Sequence, residues 1–425
     1  MQYPRMLRYL PIVAGVVALV AVIGVAWIKR MPVPDDATYV SSAACEQCHG
    51  DEHRGWAASL HPKMMRRVET PGVVVADFSA AAGEAPFAVE SAVWAIGSRW
   101  EQQFMGHDGS TETLLPGAWL VAGNGWKKQG WDGWQVPVPL RRCHGCHTVG
   151  LDVEQGTFVE PGIGCESCHG PGSWHANTQG IGRIHSSIDA QVCGQCHARG
   201  RSTDGRYFFP TGYRPGDDLL AHFKPGEPPV GQNSSHWWGN GKERKRHQEF
   251  TAWQQGGHAD SLKSLRDGYD GRYGQVDGSC LRCHVGEAAL GQAVDVAALE
   301  SDDLSPVTCA VCHQVHGELE QARLRCETCH EKGAYYHREE SRARHVPCPA
   351  DVGVSCVNCH MPLTVKNGGA FTLHSHAPGI VPPSDTATWG VPNSCANGGC
   401  HADRDEAWLQ AAYDSHFGVS SDRSP

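Results

Sequence analysis

Cysteine and histidine are the residues of this sequence best suited to chemistry, and they recur in one pattern. The chain has 425 residues, of which 19 are Cys and 25 are His. Eight times two cysteines enclose two residues and a histidine follows at once (C-x-x-C-H), and once they enclose four residues (C-x4-C-H). We number these motif 1 to motif 9 in chain order. Their cysteines are Cys45, Cys48, Cys143, Cys146, Cys165, Cys168, Cys193, Cys196, Cys280, Cys283, Cys309, Cys312, Cys326, Cys329, Cys356, Cys359, Cys395 and Cys400, and their final histidines are His49, His147, His169, His197, His284, His313, His330, His360 and His401.

This pattern is the attachment signature of c-type haem. Two thiols three residues apart lie on one turn and reach the two vinyl groups of one porphyrin, while the next histidine lies under the iron as its proximal ligand. Zinc sites, disulfides and redox dithiols also use cysteine pairs, but none requires a histidine after each pair. The sequence therefore predicts covalent haem c, with eight groups on the regular motifs and a ninth on the longer motif 9. Cys348 is left over.

Histidine is also the main candidate for the sixth iron ligand. Sixteen histidines remain for nine positions, whereas methionine numbers only seven. Mostly bis-His ligation is therefore predicted, with lower potentials than Met ligation gives. The candidate distal ligands are His61, His175, His258, His316, His345, His374 and His376. We expect His144, inside motif 2, to be exposed.

The N-terminal region contains a run of 19 residues without a charged side chain, Leu10–Ile28. Its length nearly matches the roughly 20 residues that cross a bilayer as a helix. A cleaved signal peptide would usually have an apolar region of about 7–15 residues. The run predicts a retained transmembrane helix. Because haem is attached on the outer side of the cytoplasmic membrane, the predicted location is the bacterial inner membrane, single-pass, with the haem domain in the periplasm.

The formal net charge of the chain is −10. That balance argues against nucleic acid, whose phosphates need a Lys/Arg footprint. The predicted partners are a quinol-side or membrane redox partner, a periplasmic redox protein and the cytoplasmic membrane.

The spacing of the motifs suggests how the chain is organised. Within their clusters the motifs follow too closely for independent domains to form between them, so the porphyrins must supply the core. The predicted fold class is mainly α and irregular, haem-cored, with a small β-containing insert and an N-terminal transmembrane helix. Residues 87–96 are expected to form a strand, and residues 241–247, a basic run, a solvated face. The predicted divisions are 1–30 (cytoplasmic tip and anchor), 31–37 (stalk), 38–205 (four haems, with the Trp-rich insert at about 85–136), 206–279 (Gly/Pro/Trp-rich spacer), 280–402 (five motifs) and 403–425 (helix and tail).

Several longer stretches resemble the multihaem c-type cytochromes of the doubled C-x-x-C-H group, the tetrahaem and octahaem cytochromes of anaerobic and nitrogen-cycle respiration. The resemblance covers most of residues 40–402. It implies that His316, in C-H-x-x-H-G, ligates a neighbouring haem, and that His61, in W-x-x-S-x-H, is a distal ligand. Motif 9 departs from the commonest pattern of the group. The resembling stretches are SSAACEQCHGDEHRGWAASLH, GIGCESCHGPGSWH, VCGQCHARG, CAVCHQVHG, CVNCHMP, HSHAPGIVPP and PNSCANGGCH.

Two functions follow from this pattern. The first is a carrier that passes electrons along mostly bis-His haems in anaerobic respiration. The second is a reductase or oxidase of a small nitrogen or sulfur compound, which needs one haem with an open sixth position. No C-x-x-C-K motif occurs, so the hallmark of the nitrite reductase active haem is missing. The residues favour the carrier and assign no catalytic side chain.

Overall fold

The structure is a computed structural model. It describes residues 10–29, 31–79, 84–109, 111–127, 139–267, 276–301, 303–317, 323, 325–330, 346–349, 352–367 and 369–418, with the backbone alone for 10–17, 21 and 108. Within these ranges the chain combines short helices, short strands and long irregular segments.

The helices are short apart from the first and the last. The last helix falls in the C-terminal segment for which the sequence predicted a helix. In chain order they are α1 (Leu10–Ile28), α2 (Ser42–Glu46), α3 (Gly50–Ala58), α4 (Pro139–Arg142), α5 (His144–His147), α6 (Cys165–His169), α7 (Ser173–Asn177), α8 (Ala190–His197), α9 (Leu219–His222), α10 (Glu249–Gln254), α11 (Ser261–Arg266), α12 (Gly278–His284), α13 (Gly286–Ala289), α14 (Cys309–Cys312), α15 (Glu327–His330), α16 (Cys356–His360), α17 (Pro383–Trp389) and α18 (Glu406–Phe417).

Eight of the nine attachment motifs overlap these short helices, motif 9 lies at a 3-10 turn, and side-chain caps begin some of the helices. The side chain of Asp189 accepts the backbone N–H of Gln191 at the start of α8, and Asp277 accepts that of Ser279 at the start of α12. Such caps satisfy N–H groups that have no partner inside the helix. In these two motifs the cap begins the turn that brings both cysteines to one side of the helix.

Strands form one larger sheet and three small antiparallel pairs. In the larger sheet the order is β1-β2-β3-β5-β6, with β4 also pairing with β3. The strands are β1 (Met65–Arg67), β2 (Ala92–Ile96), β3 (Glu101–Asp108), β4 (Thr111–Leu114), β5 (Ala118–Leu120), β6 (Gly125–Lys127), β7 (Thr148–Val149), β8 (Glu160–Pro161), β9 (Gly200–Ser202), β10 (Phe223–Pro225), β11 (Val365–Asn367) and β12 (Ala370–Leu373).

The larger sheet occupies the region where an insert was expected, but it begins earlier, at Met65. Residues 89–91 form a 3-10 turn, so the strand predicted over 87–96 is confined to β2. Phe104 and Trp119 are almost fully buried in this sheet. Its aromatic side chains therefore serve packing, and the fold is a mixture of helix and sheet.

The apolar side chains of the described residues form several small clusters rather than one continuous core. One surrounds α8 and includes Leu219, Phe223 and Phe250. Another surrounds α12 and includes Leu262, Leu281 and Leu299. Both clusters support the outer side of a helix that carries an attachment motif.

The N-terminal helix α1 covers the apolar run identified in the sequence. Where its side chains are described, Leu19, Val20, Val22, Ile23 and Trp27 are mainly exposed. Among the residues described in full, no helix is both long and apolar enough to cross a membrane. The transmembrane assignment stays a prediction.

Candidate haem sites

Four of the motifs present their thiols through the same backbone hydrogen bond. In motifs 1, 2, 6 and 7 the backbone N–H of the final histidine donates to the carbonyl oxygen of the first cysteine, at 2.9–3.1 Å. This bond closes one helical turn, so both thiols lie on the same side and the histidine ring projects beside them. None of the 19 cysteines, all of which lie in the described part of the chain, forms a disulfide. The turn suits two thioether bonds to one porphyrin.

Five motif histidines face a second histidine ring at nearly constant distance. Four of these pairs are stacked with interplanar angles of 25–30°, and the fifth is inclined at 64°. The ring centroids lie 6.1–6.2 Å apart in every case. The pairs are His49–His175, His169–His316, His197–His247, His313–His376 and His330–His258.

This separation fits a metal ion held between two imidazoles. A bond from a metal to an imidazole nitrogen is about 2.0–2.1 Å long, so two opposed bonds span about 4 Å. Half of each ring adds about 1 Å per side, which brings the expected distance between centroids to roughly 6 Å. The five pairs therefore fit the two axial positions of a six-coordinate haem iron.

Hydrogen bonds at Nδ1 orient several of these rings. A carbonyl oxygen can only accept, so Nδ1 must carry the proton where it meets one. His169 donates to the carbonyl of His185 at 2.7 Å, and His175 donates to that of Gly182 at 2.8 Å. The second ring nitrogen, Nε2, is then free to bind iron. Holding a ligand through its other ring nitrogen is the usual arrangement around metal-bound histidine.

At His197 a carboxylate takes the place of the carbonyl, and at His376 a carboxylate lies nearby but 4.0 Å from Nδ1. The Glu249 carboxylate lies 3.3 Å from Nδ1 of His197. Burial lowers the pKa of His197, but the hydrogen bond and charge of Glu249 outweigh it and raise the pKa to about 9. Glu243 is buried beside His376, whose backbone N–H it accepts at 2.6 Å. Burial raises the pKa of the Glu243 carboxyl.

The predicted distal ligands are distributed unevenly. The structure places His175, His258, His316 and His376 opposite a motif histidine. His345 lies outside the described residues. Neither His61 nor His374 faces a motif histidine within the described part of the chain; Nδ1 of His374 instead bonds the carbonyl of Met361. The axial roles of all these residues stay predictions.

Sequence reasoning missed one paired histidine and misjudged two environments. His247, opposite His197, ends the basic run that was expected to be a solvated face. That expectation was wrong, because Lys242 and Glu243 in the run are buried. The expectation for His144 was also wrong: it is 3% exposed and its Nε2 lies 2.6 Å from a carboxylate oxygen of Glu112. The one available signal for His247 was its position between the two motif clusters, which it shares with His258.

Contacts between motifs define an order in space that differs from the order in the chain. Cysteine side chains of five motif pairs are immediate neighbours: Cys45–Cys165, Cys146–Cys196, Cys193–Cys309, Cys283–Cys329 and Cys326–Cys356. Cysteine side chains of three further motif pairs lie near each other: Cys168–Cys193, Cys312–Cys326 and Cys359–Cys395. The helix contacts α2–α6, α5–α8, α6–α8, α8–α14 and α12–α15 agree with these pairs.

These contacts join all nine motifs into one connected route, which we call the motif path. It runs through motifs 1, 3, 4, 6, 7, 8 and 9. Motif 2 branches from motif 4, and motif 5 branches from motif 7. The path crosses between the two motif clusters where α8 meets α14.

The two branch motifs, 2 and 5, differ from the five motifs with paired histidines in what lies opposite the motif histidine. In the described part of the chain, no second imidazole faces His147 of motif 2 or His284 of motif 5. Their Nδ1 atoms donate to the carbonyls of Met64, at 3.2 Å, and Ser261, at 3.1 Å. At the end of the path, the ring of His401 lies 5.4 Å from that of Trp408.

Comparison with known proteins gives a consistent result. The family model described as "Cytochrome c554 and c-prime" matches residues 126–170 and 244–314, about a quarter of the chain. No curated protein matches the sequence. The structure of the outer cell wall cytochrome OcwA is similar over 89% of this chain and 86% of that chain, with 25% identity and a TM-score of 0.75. The undecaheme cytochrome from the S-layer of Carboxydothermus ferrireducens shares the fold over 91% of this chain and 60% of that one, with 19% identity and a TM-score of 0.51.

Proposed function

Since the chain is a multihaem c-type cytochrome that binds haem c, we propose that it is an electron carrier in which most of the haems have two histidine ligands. The observation that carries this proposal is the constant separation of 6.1–6.2 Å in five pairs of histidine rings. A site closed by two protein ligands leaves no position for a substrate. Haem, when bound, supplies a one-electron couple at its iron. Ligand identity and access at the distal side decide between electron transfer and activation of a substrate.

The residues around the pairs keep the ligands in place. The Nδ1 atoms of His169 and His175 donate to backbone carbonyls, which are parts of the chain that cannot rotate away. Imidazole rings fixed by a hydrogen bond at Nδ1 keep the same orientation whether the haem iron is oxidised or reduced. This rigidity favours fast electron transfer, because little has to reorganise when the charge changes.

The motif path supplies the proposed route. Electrons enter at motif 1 or motif 9, the two ends of the path, and leave at the other end. A membrane or quinol-side partner and a periplasmic redox protein are the proposed donor and acceptor. The negative formal charge of the chain favours partners with basic docking surfaces.

The experiment is to remove one distal histidine and count low-spin centres by electron paramagnetic resonance of the oxidised protein. His316→Ala should lose one low-spin centre and gain one high-spin centre, because His169 then has no ligand opposite. His107→Ala is the matched control, since the side chain of His107 is exposed on β3 of the larger sheet. An unchanged spectrum for His316→Ala would contradict the proposal.

A second function, reduction or oxidation of a small nitrogen or sulfur compound, is favoured by one observation. His147 and His284 face no second imidazole within the described residues, so motif 2 or motif 5 is the candidate open site. Adding nitrite, hydroxylamine or sulfite to the oxidised protein tests it. A high-spin signal that changes on addition would support an enzyme, and a spectrum without such a response would support the carrier.

We further propose that the haem domain lies outside the cytoplasm, held at the inner membrane by α1. The apolar run of α1, its exposed side chains and the resemblance to a cytochrome of the outer cell wall support this location. Carbonate extraction of membranes from cells expressing the full chain tests the anchor. Retention in the membrane supports it, and complete release of the haem protein would overturn it.

A further inference from the structure

The segment of residues 242–249 connects two neighbouring sites of the motif path. Residues 241–247 were expected to face solvent, yet Lys242 and Glu243 are buried, and so is Gln248, which follows the run. Near one end Glu243 contacts His376 of the motif 6 pair. At the other end His247 faces His197 of motif 4. The segment therefore contacts the motif 4 and motif 6 sites, where the two clusters of motifs meet. We call it the junction segment.

One carboxylate of this segment touches both histidines of the motif 4 pair. Oε2 of Glu249 lies 3.3 Å from Nδ1 of His197, and Oε1 accepts the backbone N–H of His247 at 3.0 Å. The two rings themselves are 6.2 Å apart. Glu249 is therefore placed to hold the ring on one side of the site and the backbone on the other.

The backbone of His247 is in a conformation that needs such support. Its φ is +66°, in the left-handed region that residues other than glycine rarely occupy. A residue held there is strained, and it keeps this conformation only when its surroundings impose it. The bond from its N–H to Glu249 is one such constraint. The strained backbone and the hydrogen bond to Glu249 together fix the direction in which the His247 ring points.

The acceptor at His197 also differs in charge from those at other motif histidines. His147, His169 and His284 donate Nδ1–H to neutral backbone carbonyls. A carboxylate acceptor makes the imidazole a more basic ligand, which favours the oxidised, more positive iron. Arg199 and Arg246 also act on His247 and offset part of this charge. Arg246 in turn forms an ion pair with Glu101 at 2.5 Å, which reduces its share.

We propose that Glu249 is a positioning residue that aligns His197 and His247 and makes the motif 4 centre lower in midpoint potential than the motif 3 centre. This inference rests on the proposed axial roles of those two histidines. Its functional consequence concerns the path, because motif 4 is the point from which motif 2 branches and the clusters connect. A lower-potential centre there is an uphill step for electrons that arrive from a higher-potential neighbour, and it slows their transfer between the clusters.

The test is a redox titration of Glu249→Gln in the full chain, followed by optical and paramagnetic spectra. Glutamine keeps the shape and one acceptor oxygen but removes the charge. We expect one midpoint potential to move to a more positive value while the haem content, measured by mass, stays at the parent value. Glu249→Asp restores the charge and should bring that potential back toward the parent value. Unchanged potentials in Glu249→Gln would overturn the inference.

Glu112→Gln is the matched control. It removes the same charge from another glutamate–histidine pair, at 2.6 Å, but His144 is not an axial ligand in any proposed pair. Because His144 lies inside motif 2 without being an axial ligand, any shift should be smaller than that of Glu249→Gln. A shift as large as that of Glu249→Gln would show a general charge effect and contradict the inference. If Glu249→Gln and Glu249→Asp lose the same low-spin centre, the role is structural alone and the potential claim is wrong.

A third variant separates this inference from the proposed function. His247→Ala should convert one low-spin centre to high-spin. If it does and Glu249→Gln shifts no potential, the tuning inference alone fails. If it leaves every low-spin centre intact, the axial assignment of His247 fails and the inference fails with it.

Discussion

Gly55→Ala tests whether packing of α3 against residue 316 keeps His316 opposite His169. A Cβ atom at Gly55 would lie 2.2 Å from the carbonyl oxygen of His316 and 2.8 Å from its carbonyl carbon. Both are backbone atoms, so no side-chain rotation relieves the overlap. One segment must move by more than one ångström to reach ordinary contact. Over-packing of this kind costs about 1–3 kcal/mol, more than the roughly 1 kcal/mol that alanine gains over glycine inside a helix.

The expected spectroscopic effect follows from this energy. Every 1.4 kcal/mol is a factor of ten in an equilibrium, so a cost of about 1–3 kcal/mol should shift the balance between bound and displaced His316 by about five- to 140-fold. Paramagnetic resonance of the oxidised protein should then show a fractional high-spin centre that the parent lacks. Gly50→Ala is the control in the same helix, because its Cβ would meet only Nη1 of Arg54, at 3.4 Å. The reasoning is refuted if Gly55→Ala matches the parent, or if Gly50→Ala produces an equal high-spin fraction.

Three further results are expected. Cys395→Ala should reduce the number of covalently held haems by one, and an unchanged mass increment would remove motif 9 from the haem count. Glu166→Ala removes a buried carboxylate that accepts three backbone N–H groups. Each buried donor left unpaired costs about 1–3 kcal/mol, so amide hydrogen exchange in residues 38–46 should accelerate at least about tenfold. Exchange at the parent rate would show that these hydrogen bonds contribute little. Glu243→Gln should raise one midpoint potential by less than Glu249→Gln does, because the Glu243 carboxylate lies 4.0 Å from Nδ1 of His376. A redox titration in which Glu243→Gln causes the larger shift would contradict this.

The covalent part of each site could be predicted from the sequence because it is local. Two cysteines and a histidine within five residues form one turn whatever the rest of the chain does. The same holds for the chemistry of the cofactor, since thiol spacing selects the porphyrin. Residues such as Cys165 and His169 therefore needed no tertiary information.

The distal side could be predicted only in part because it depends on tertiary contacts. His175 lies six residues beyond motif 3 yet faces His49 of motif 1, and nothing in the local spacing specifies that partner. His247 was missed for the same reason, and because its charged neighbours suggested a solvated surface. Buried charge is uncommon unless it is paired. Here the pairing is with histidines that are distant in the sequence, as for Glu249 and His197.

The spatial order of the motifs also could not be predicted from the sequence. Chain order places motif 2 between motifs 1 and 3, whereas the structure brings Cys45 against Cys165 and leaves motif 2 as a branch at Cys196. Such contacts arise from the packing of short helices such as α2 on α6. Their register is set by side chains from several segments at once.

The central claim is that thioether bonds attach haem to the chain at these nine motifs. The most direct measurement is the mass of the intact protein after extraction with acidified acetone, which removes haem that is not covalently bound. We expect the mass of the polypeptide plus nine haems. A mass equal to that of the bare polypeptide, or one increased by four haems or fewer, would contradict the account.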